Sequence, residues 1–168
     1  VLFSFSYLQL ENKKGERKMT HELIEPVNAG EYEVKKFLRG RGIQVEDVSD
    51  NPVYWAKDID LIATNPITGK SAAIEIKLDS RIDDTGNFFI EFENPRSENS
   101  KGWLHFCEAD FLYYIDSNSY LTYIIKFDEL RHFIATHKRD LAIKSTFDGS
   151  IGYIVPLAAM PIFTTIQL

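Results

Sequence analysis

The sequence of 168 residues has little of several features that mark common classes of function. A single cysteine, Cys107, excludes a disulfide within the chain, and a small buried apolar side chain is its simplest role. The histidines lack the spacing of a zinc site, and a glycine-rich phosphate loop followed by Lys and Ser or Thr is absent. No apolar run approaches the roughly 20 residues that span a bilayer. We therefore expect a cytoplasmic protein that does not associate with membranes.

Positive charge is also scarce. The chain has 19 Lys and Arg residues against 25 Asp and Glu residues, for a formal net charge of −6. Because proteins bind phosphates mainly through clustered Lys and Arg, a nucleic acid would have to be held locally, or with help from a protein partner. A net charge does not fix where the charges lie, however, and a metal site itself needs carboxylates. Nucleic-acid binding therefore stays open.

The rest of the composition is that of one globular domain. Hydrophobic residues make up 44% and charged residues 26% of the chain, whose length suits a single sizeable core. The first methionine is Met19, and the codons for Lys14-Gly15-Glu16 can contain a ribosome-binding sequence. One hypothesis makes residues 1–18 a translated leader before a domain at 19–168. The other is an ordinary first strand at 2–10.

Apolar periodicity and turn residues predict an α/β (α+β) fold with a mixed sheet and flanking helices. A helix at 28–42 has start and stop signals at its two ends. A tight turn at 65–69 joins two strands in a hairpin, and a turn is expected at 50–52. The polar segment 94–102 is expected to be a loop, and it could be a mobile loop of the active site. The remaining predictions are strands at 43–48, 54–63, 71–78, 88–92, 111–115, 120–127 and 153–157 and a helix at 128–138.

The strand at 71–78 separates apolar from charged side chains. Its period of two places Ile74, Ile76 and Leu78 on one face and Glu75 with Lys77 on the other. An exposed cross-strand ion pair would explain Glu75 and Lys77 without any chemistry.

The preceding strand adds a second acidic group. There the same period predicts Asp58 and Asp60 on one face and Ile59 with Leu61 buried on the other. Pairing of the two strands brings Asp60 near Glu75. Two converging carboxylates suit a hard divalent cation such as magnesium, which prefers oxygen ligands and keeps several waters.

Other groups on the second strand complete a hydrolytic site. The Ile76 carbonyl can supply a further oxygen to the metal ion. Lys77 can orient or help to deprotonate an attacking water and offset negative charge near a scissile phosphate. The pattern predicts in-line hydrolysis of a phosphodiester bond.

The chain has Asp60, then fourteen intervening residues, then Glu75-Ile76-Lys77. This order resembles the pattern of the PD-(D/E)XK nuclease superfamily. The resemblance extends over 29–116, and the segments 75–79, 85–91 and 109–111 look like small endonuclease-like proteins of phages and prophages. It implies a restriction-endonuclease-like core but not a known substrate. The leading hypothesis is a DNA endonuclease that uses one or two Mg²⁺ or Mn²⁺ ions. In this assignment Asp60 and Glu75 bind metal and Lys77 is catalytic. Many nucleases of this fold act as dimers, so a homodimer is expected.

Six further acidic residues have open roles. In the superfamily a Glu on the first helix often joins the metal shell, which makes Glu31 and Glu33 candidates, although solvated charges in a first helical turn explain them equally well. Glu91 and Glu93 share a face of the next strand, where one could reach a second metal ion or Lys77. Asp79 and Asp110 are expected to shape turns or cap helices, although either could lie at the rim of the site.

Basic residues that flank the acidic centre in loops are the expected DNA contacts. A basic helix end is explained better by the helix dipole than by DNA. Trp103 could stack on a base, but a core anchor is the simpler role. The loop residues are Lys57, Arg81, Arg96 and Lys101, and the helix end comprises Arg131, His132, His137, Lys138 and Arg139.

Two other functions remain open. The fold could be kept as a binding or assembly module of a phage or mobile element without turnover, and then it need not bind a metal ion. The charged strand pair could instead be a surface ion network on an unrelated α/β domain. In that case Asp60 and Glu75 would lie well beyond about 6 Å apart, too far to share a cation.

Overall fold

The computed structural model describes residues 5–13, 16–24, 26–160 and 162–168. These residues form a mixed α/β structure of the α+β kind. Its strands are β1 (Phe5–Lys13), β2 (Glu16–Ile24), β3 (Gln44–Asp47), β4 (Leu61–Thr64), β5 (Ser71–Asp79), β6 (Asn87–Glu93), β7 (Phe111–Asp116), β8 (Leu121–Lys126), β9 (Ala142–Ser145), β10 (Ile151–Pro156) and β11 (Phe163–Gln167). Its α-helices are α1 (Pro26–Gly40), α2 (Pro52–Trp55), α3 (Ile82–Thr85), α4 (Trp103–Phe106) and α5 (Phe127–His137).

The main sheet has six strands in the order β11-β8-β7-β5-β4-β3. Its neighbours are antiparallel except for the parallel pair β5 and β7. A second sheet has the order β6-β10-β9, and β1 pairs with β2 in a hairpin. The predicted mixed sheet with flanking helices is confirmed.

The main sheet is covered on both faces. On one face α1 packs over a cluster that includes Leu61, Ile74 and Ile76. At Gly30 a Cβ atom would lie 2.2 Å from a methyl carbon of Leu78, so a glycine lets α1 approach β5 closely. The other face carries a larger cluster with side chains from α4, α5 and the second sheet. Strand β5 therefore runs through the interior of the domain.

Helix α1 differs from its prediction at the start and agrees with it at the end. It begins at Pro26, two residues before the expected start, and proline is well tolerated in a first helical turn. At its end Gly42 has a φ of 76°. The Gly42 N–H donates to the Arg39 carbonyl at 3.0 Å and the Ile43 N–H donates to the Leu38 carbonyl at 3.1 Å. This Schellman motif confirms the glycine stop signal.

The predicted strand at 54–63 is wrong over most of its length. Only Leu61–Thr64 is a strand, and Pro52–Trp55 forms helix α2 where a simple turn was expected. Asn51 begins this helix, because its side-chain oxygen accepts from the Val53 N–H at 3.0 Å. An Asn-Pro pair is a helix-start signal, and the local alternation of apolar residues concealed it.

The hairpin of β4 and β5 is confirmed, with Leu61 opposite Ile74. Its turn is built as expected, since the Asn65 side chain accepts from the Ile67 N–H at 2.9 Å and Gly69 has a φ of 68°. The other predicted strands and the helix near 128–138 are present within a few residues of their expected bounds. Strands β2, β9 and β11 and the short helices α3 and α4 were not predicted.

Segment 94–102 is irregular, as predicted, but it is fixed to β6. It contains a 3₁₀ turn at Glu98–Ser100, and the Gly102 N–H donates to the Phe92 carbonyl at 3.0 Å. A Cβ atom at Gly102 would lie 2.7 Å from the backbone of Glu91 and Phe92. Glycine is therefore required where this segment crosses the strand.

Two predictions concern the start of the chain. Residues 1–4, 14 and 15 lie outside the described residues, and Phe5–Lys13 pairs with Glu16–Ile24. Strand β1 overlaps the strand expected at 2–10, while the leader hypothesis for 1–18 stays a prediction. No helix among the described residues is long and apolar enough to cross a membrane.

Candidate functional site

Strand β5 carries Glu75 and Lys77 into the interior. Glu75 is only 2% exposed, and the Lys77 side chain is 28% exposed. One carboxylate oxygen of Glu75 is paired with the Lys77 ammonium. The other oxygen, Oε2, is buried and has no hydrogen-bond partner among the described residues. A buried carboxylate oxygen without a partner is rare in folded proteins and points to a missing ligand.

Asp60 lies where β4 ends its pairing with β5. Its backbone N–H donates to the Ile74 carbonyl at 3.0 Å, and its Oδ2 accepts from the Ile76 N–H at 2.8 Å. The carboxylate thus takes the place of a strand partner for Ile76. In a strand the N–H and C=O of one residue point to the same side, so the Ile76 carbonyl also faces Asp60.

Asp58 reaches the same cluster by a different route from the one predicted. It does not alternate with Asp60 along a strand, because it lies in a turn with a φ of 53°. Its Oδ2 accepts from the Lys77 ammonium at 3.1 Å. The Cys107 thiol donates to the Asp58 carbonyl at 3.2 Å and so helps to hold the turn. The expected strand geometry is wrong, although Asp58 does join the charged cluster.

Burial and mutual repulsion set the charge of this cluster. Burial raises the pKa of Glu75 well above its ordinary value, with Asp58 and Asp60 adding to the rise and Lys77 opposing it. Burial also raises the pKa of Asp60, against the Ile76 hydrogen bond and Lys77. For Lys77, burial lowers the pKa, but Glu75 and Asp58 outweigh it and raise the pKa overall. Glu75 and Asp58 thus pair with Lys77, and a cation beside Glu75 and Asp60 would lower their raised pKa values by favouring the charged carboxylates.

The two glutamates of helix α1, Glu31 and Glu33, lie in different environments. Glu31 is 6% exposed, and burial first, then Asp60 and Asp47, raise its pKa to about 7, while Lys35 lowers it. Glu33 pairs with Lys36 at 3.1 Å. Glu31 is thus coupled to Asp60 and adds to the acidic site, whereas Glu33 is explained as a surface charge.

Glu91 and Glu93 lie on the far face of β6. Phe88, Ile90 and Phe92 pack into the core, so alternation turns the two glutamates away from it. Glu91 accepts from the Asn94 side chain at 3.3 Å. Over 26–160 and 162–168, no ion pair joins either glutamate to Lys77.

The expected basic contacts fall into two groups. Lys57 pairs with Glu108 at 2.6 Å and Arg96 with Asp148 at 3.4 Å, so both are partly neutralised. Arg81 is exposed and lines a cavity of about 610 Å³ together with Lys77. The fourth, Lys101, forms a backbone bridge with Glu93 beside segment 94–102.

Helix α5 uses part of its basic end for structure. The Arg131 guanidinium donates to the Leu104 carbonyl at 3.1 Å and also to the Cys107 carbonyl, so it caps the end of α4. The His137 ring stacks on Phe133, with ring centroids 4.3 Å apart. His132, Lys138 and Arg139 are exposed near the end of the helix.

Trp103 and Cys107 are core residues, as expected. Trp103 is 7% exposed and meets the ring of Phe127 edge to face at 5.9 Å. Its ring also lies 5.8 Å from the Lys77 ammonium, which places an aromatic wall beside the charged cluster. Burial raises the pKa of Cys107 to about 12, so the thiol is kept protonated and unreactive.

Asp79 shapes the turn after β5, as predicted, and it also lines the cavity beside Lys77, whereas the Asp110 side chain binds the backbone of β5 instead of a turn or a helix end. Asp79 accepts from the Arg81 N–H at 2.7 Å and from the Tyr114 hydroxyl at 3.0 Å. Asp110 accepts from the Ala73 N–H at 2.7 Å. Their hydrogen bonds give both carboxylates a structural role.

The residues present fit a hard divalent cation with few protein ligands. In the described part of the chain, no group of three or more His, Cys, Asp and Glu side chains is placed to hold a metal ion. Magnesium, however, is commonly bound through one or two carboxylates and several waters. The unpartnered oxygen of Glu75, the Asp60 carboxylate and the Ile76 carbonyl form such a set.

Comparisons with known proteins gave no relative. No protein-family model matches the sequence, and neither the curated proteins nor the solved structures contain a significant match.

Proposed function

We propose that this protein is a metal-dependent nuclease with a restriction-endonuclease-like core that hydrolyses phosphodiester bonds in DNA. The proposal depends above all on Glu75, whose Oε2 is buried without a hydrogen-bond partner in the described residues. Leaving such an oxygen unsatisfied costs about 1–3 kcal/mol, and more when it is charged. A bound cation best explains an unpartnered carboxylate oxygen between Asp60 and Lys77.

Asp60, Glu75 and the Ile76 carbonyl would hold the cation. A bound Mg²⁺ or Mn²⁺ ion stabilises charge on the phosphoryl oxygens and lowers the pKa of a water. Glu31, whose carboxyl is buried and electrostatically coupled to Asp60, lies on the side of α1 where it adds negative charge to the site. The Ile76 N–H orients the Asp60 carboxylate, so this side chain is held in one rotamer before any ion binds.

Lys77 acts as a fixed positive charge. Its ammonium is held between Glu75 and Asp58, and its side chain is the part of the cluster that lines the neighbouring cavity. A phosphate that enters from the cavity meets this ammonium first. Lys77 then offsets the charge of the scissile phosphate and orients the attacking water by hydrogen bonding.

DNA is the substrate that the surroundings of the site favour. The net charge of −6 would repel a polyanion, yet Arg81 and Lys144 lie beside Lys77 around one cavity. Local positive charge can hold a phosphate backbone where the global charge does not. A homodimer would supply two sites for cutting two strands, and a protein partner could add affinity for DNA.

A second candidate function is a binding or assembly module without turnover. One observation favours it: Lys77 already pairs with both Glu75 and Asp58 and so has partners without a substrate. Such a module would need no magnesium or manganese at Asp60 and Glu75.

The deciding experiment is a cleavage assay with Mg²⁺ or Mn²⁺ on linear, supercoiled, branched and single-stranded DNA. We expect cleavage by the wild type and its loss in Asp60→Asn and Lys77→Ala, because these remove a metal ligand and the positive charge. Lys70→Ala, at an exposed turn residue, is the matched control and should cleave normally. Circular dichroism checks that each variant folds.

Absence of cleavage on all substrates, together with no magnesium or manganese binding by calorimetry, would overturn the nuclease assignment in favour of the module. Cleavage that survives in both site variants would show that the activity lies elsewhere.

A further inference from the structure

A cavity adjoins the charged cluster on the side of Lys77. It has a volume of about 610 Å³ and lies between the end of β5, helix α3, strand β6 and the hairpin of β9 and β10. Its walls combine cations, small polar side chains and aromatic rings. The residues that matter here are Lys77, Arg81, Asn87, Trp103, Lys144 and Phe147. This volume is in the range of sites for small organic ligands.

Two cations of the cavity have no anionic partner in the part of the chain that the structure describes. Arg81 and Lys144 are both exposed, and within 26–160 and 162–168 neither forms an ion pair or a side-chain hydrogen bond. The acidic lining residue, Asp79, is engaged by the Arg81 N–H and the Tyr114 hydroxyl. The cavity therefore presents more positive than negative charge and is suited to an anion.

The rim of the cavity carries an aromatic ring that no protein surface covers. Phe147 lies in the turn between β9 and β10, and its side chain is fully exposed. The turn itself is well fixed, because the Thr146 N–H donates to the Ser150 carbonyl at 2.8 Å and Asp148 pairs with Arg96. Gly149 supplies the positive φ of 91° that the turn needs. A rigid turn that holds a phenylalanine in water favours a partner with a flat apolar face.

We propose that this cavity binds single-stranded DNA, with Phe147 stacked on an unpaired base and Arg81 and Lys144 on the adjacent phosphates. Stacking on aromatic side chains and a positive groove along the backbone are how proteins hold single strands. In a continuous duplex the bases stack on one another, so their faces are not available to the Phe147 ring. This inference rests on the proposed function, because it names the form of substrate that is led to Lys77.

The test is fluorescence anisotropy in EDTA, so that binding is measured without cleavage. The probe is a fluorescein-labelled thymidine oligonucleotide of about 12 nucleotides, within the site sizes of single-strand binding modules. We expect Phe147→Ala to weaken its binding by roughly fivefold or more, as loss of one stacked base does. Arg81→Gln and Lys144→Gln should each reduce the slope of log affinity against log salt by about 0.7.

Two exposed positions in the turn between β4 and β5 provide matched controls. Ile67→Ala removes an equally exposed apolar side chain and Lys70→Gln an exposed cation. Neither should change the affinity or the salt slope. All of these positions are on the surface, so the variants should fold, and circular dichroism verifies this.

A blunt duplex of the same length bound as tightly as the single strand would overturn the inference. So would a Phe147→Ala variant that behaves like Ile67→Ala. If the protein cleaves DNA but these variants bind normally, the nuclease proposal stands and the cavity proposal fails. If the single strand binds through these residues but is never cleaved, the binding site stands and the nuclease proposal fails.

Discussion

Glu75 and Asp116 are carboxylates buried to nearly the same degree in neighbouring strands of one sheet. Glu75 is 2% exposed and Asp116 is 0% exposed. Asp116 accepts from the Asn118 N–H at 3.0 Å and from the Ser119 hydroxyl at 2.6 Å. Burial acts to raise its pKa, but hydrogen bonds involving Asp83, Ser119 and Asn118 lower it overall. For Glu75 burial prevails and the pKa rises.

The difference separates a carboxylate whose hydrogen bonds the fold supplies from one whose hydrogen bonds it leaves incomplete. Both side chains are shielded from water, so solvent exposure does not distinguish them, but Glu75 lies deeper in the interior and burial raises its pKa more strongly. The turn that follows β7 supplies hydrogen bonds to Asp116, whereas one oxygen of Glu75 has no hydrogen-bond partner among the described residues. A buried acid that the fold does not satisfy is the one to test for chemistry.

The largest expected effect is on activity. Glu75→Gln removes the negative charge but keeps the shape, so Mg²⁺-dependent cleavage should fall by about 10²–10³-fold, a loss typical of removing one group that stabilises a transition state. The variant should keep most of its stability without metal, because Gln keeps the shape of the side chain and Lys77 retains Asp58 as an ion-pair partner. Initial cleavage rates and urea unfolding measure the two quantities. A Glu75→Gln variant that loses stability but keeps its activity would show that Glu75 has the structural role assigned to Asp116.

The next effect concerns pH. The folded-state pKa of Glu31 is raised to about 7 from its ordinary value of 4.5. The folded state therefore binds the proton more tightly, and this stability is present below pH 4.5 and is lost as the pH rises to about 7. At about 1.4 kcal/mol per pH unit, the loss from Glu31 is up to roughly 3 kcal/mol.

Urea unfolding from pH 5 to pH 8 in EDTA measures this fall. Glu31→Gln should reduce the slope, and Glu33→Gln, which alters a surface ion pair on the same helix, is the control. Equal slopes for all three proteins would show that Glu31 is not held protonated.

A somewhat smaller effect is expected for Asp116. Asp116→Ala should destabilise the protein by about 2 kcal/mol, because the hydrogen-bonding groups of Asn118 and Ser119 lose their acceptor. Cleavage at a temperature where the variant is folded should be unchanged. Asp140→Ala, at an exposed position, controls for the loss of a charge. A fall in cleavage without a fall in stability would contradict the structural role of Asp116.

The smallest expected effect is stabilisation by the ion. At a Mg²⁺ concentration tenfold above the dissociation constant, one site adds about 1.4 kcal/mol to the free energy of unfolding. Thermal unfolding with and without Mg²⁺ should show this gain in the wild type and in Asp116→Ala, and not in Glu75→Gln. An equal gain in all three proteins would place the bound ion away from Glu75.

Strong local patterns were predictable from the sequence. The β4–β5 hairpin followed from Asn65 and Gly69, and the alternation in β5 placed Ile74 and Ile76 opposite the charged residues. These features depend on neighbours in the chain. Asp60, Glu75 and Lys77 could be selected for the same reason, since one hairpin brings them together.

The features that were not predicted depend on distant residues. The left-handed turn at Asp58 is held partly by Cys107, which is far along the chain. Arg131 looked like a charge at a helix end but caps the carbonyls at the end of α4. Lys144 and Phe147 showed no pattern of their own, and an aromatic residue in a polar turn was the one available signal.

The hairpin of β4 and β5 also bears on the order of folding. The two strands are joined by residues 65–70 alone, whereas the parallel pairing of β5 with β7 must close a loop of more than thirty residues. Short loops close first, so Asp60 and Glu75 are brought together before most of the sheet exists. The two carboxylates therefore come close together early in folding, while water still screens the repulsion between them. A divalent cation present during refolding would act on this nucleus and accelerate folding, besides stabilising the finished domain.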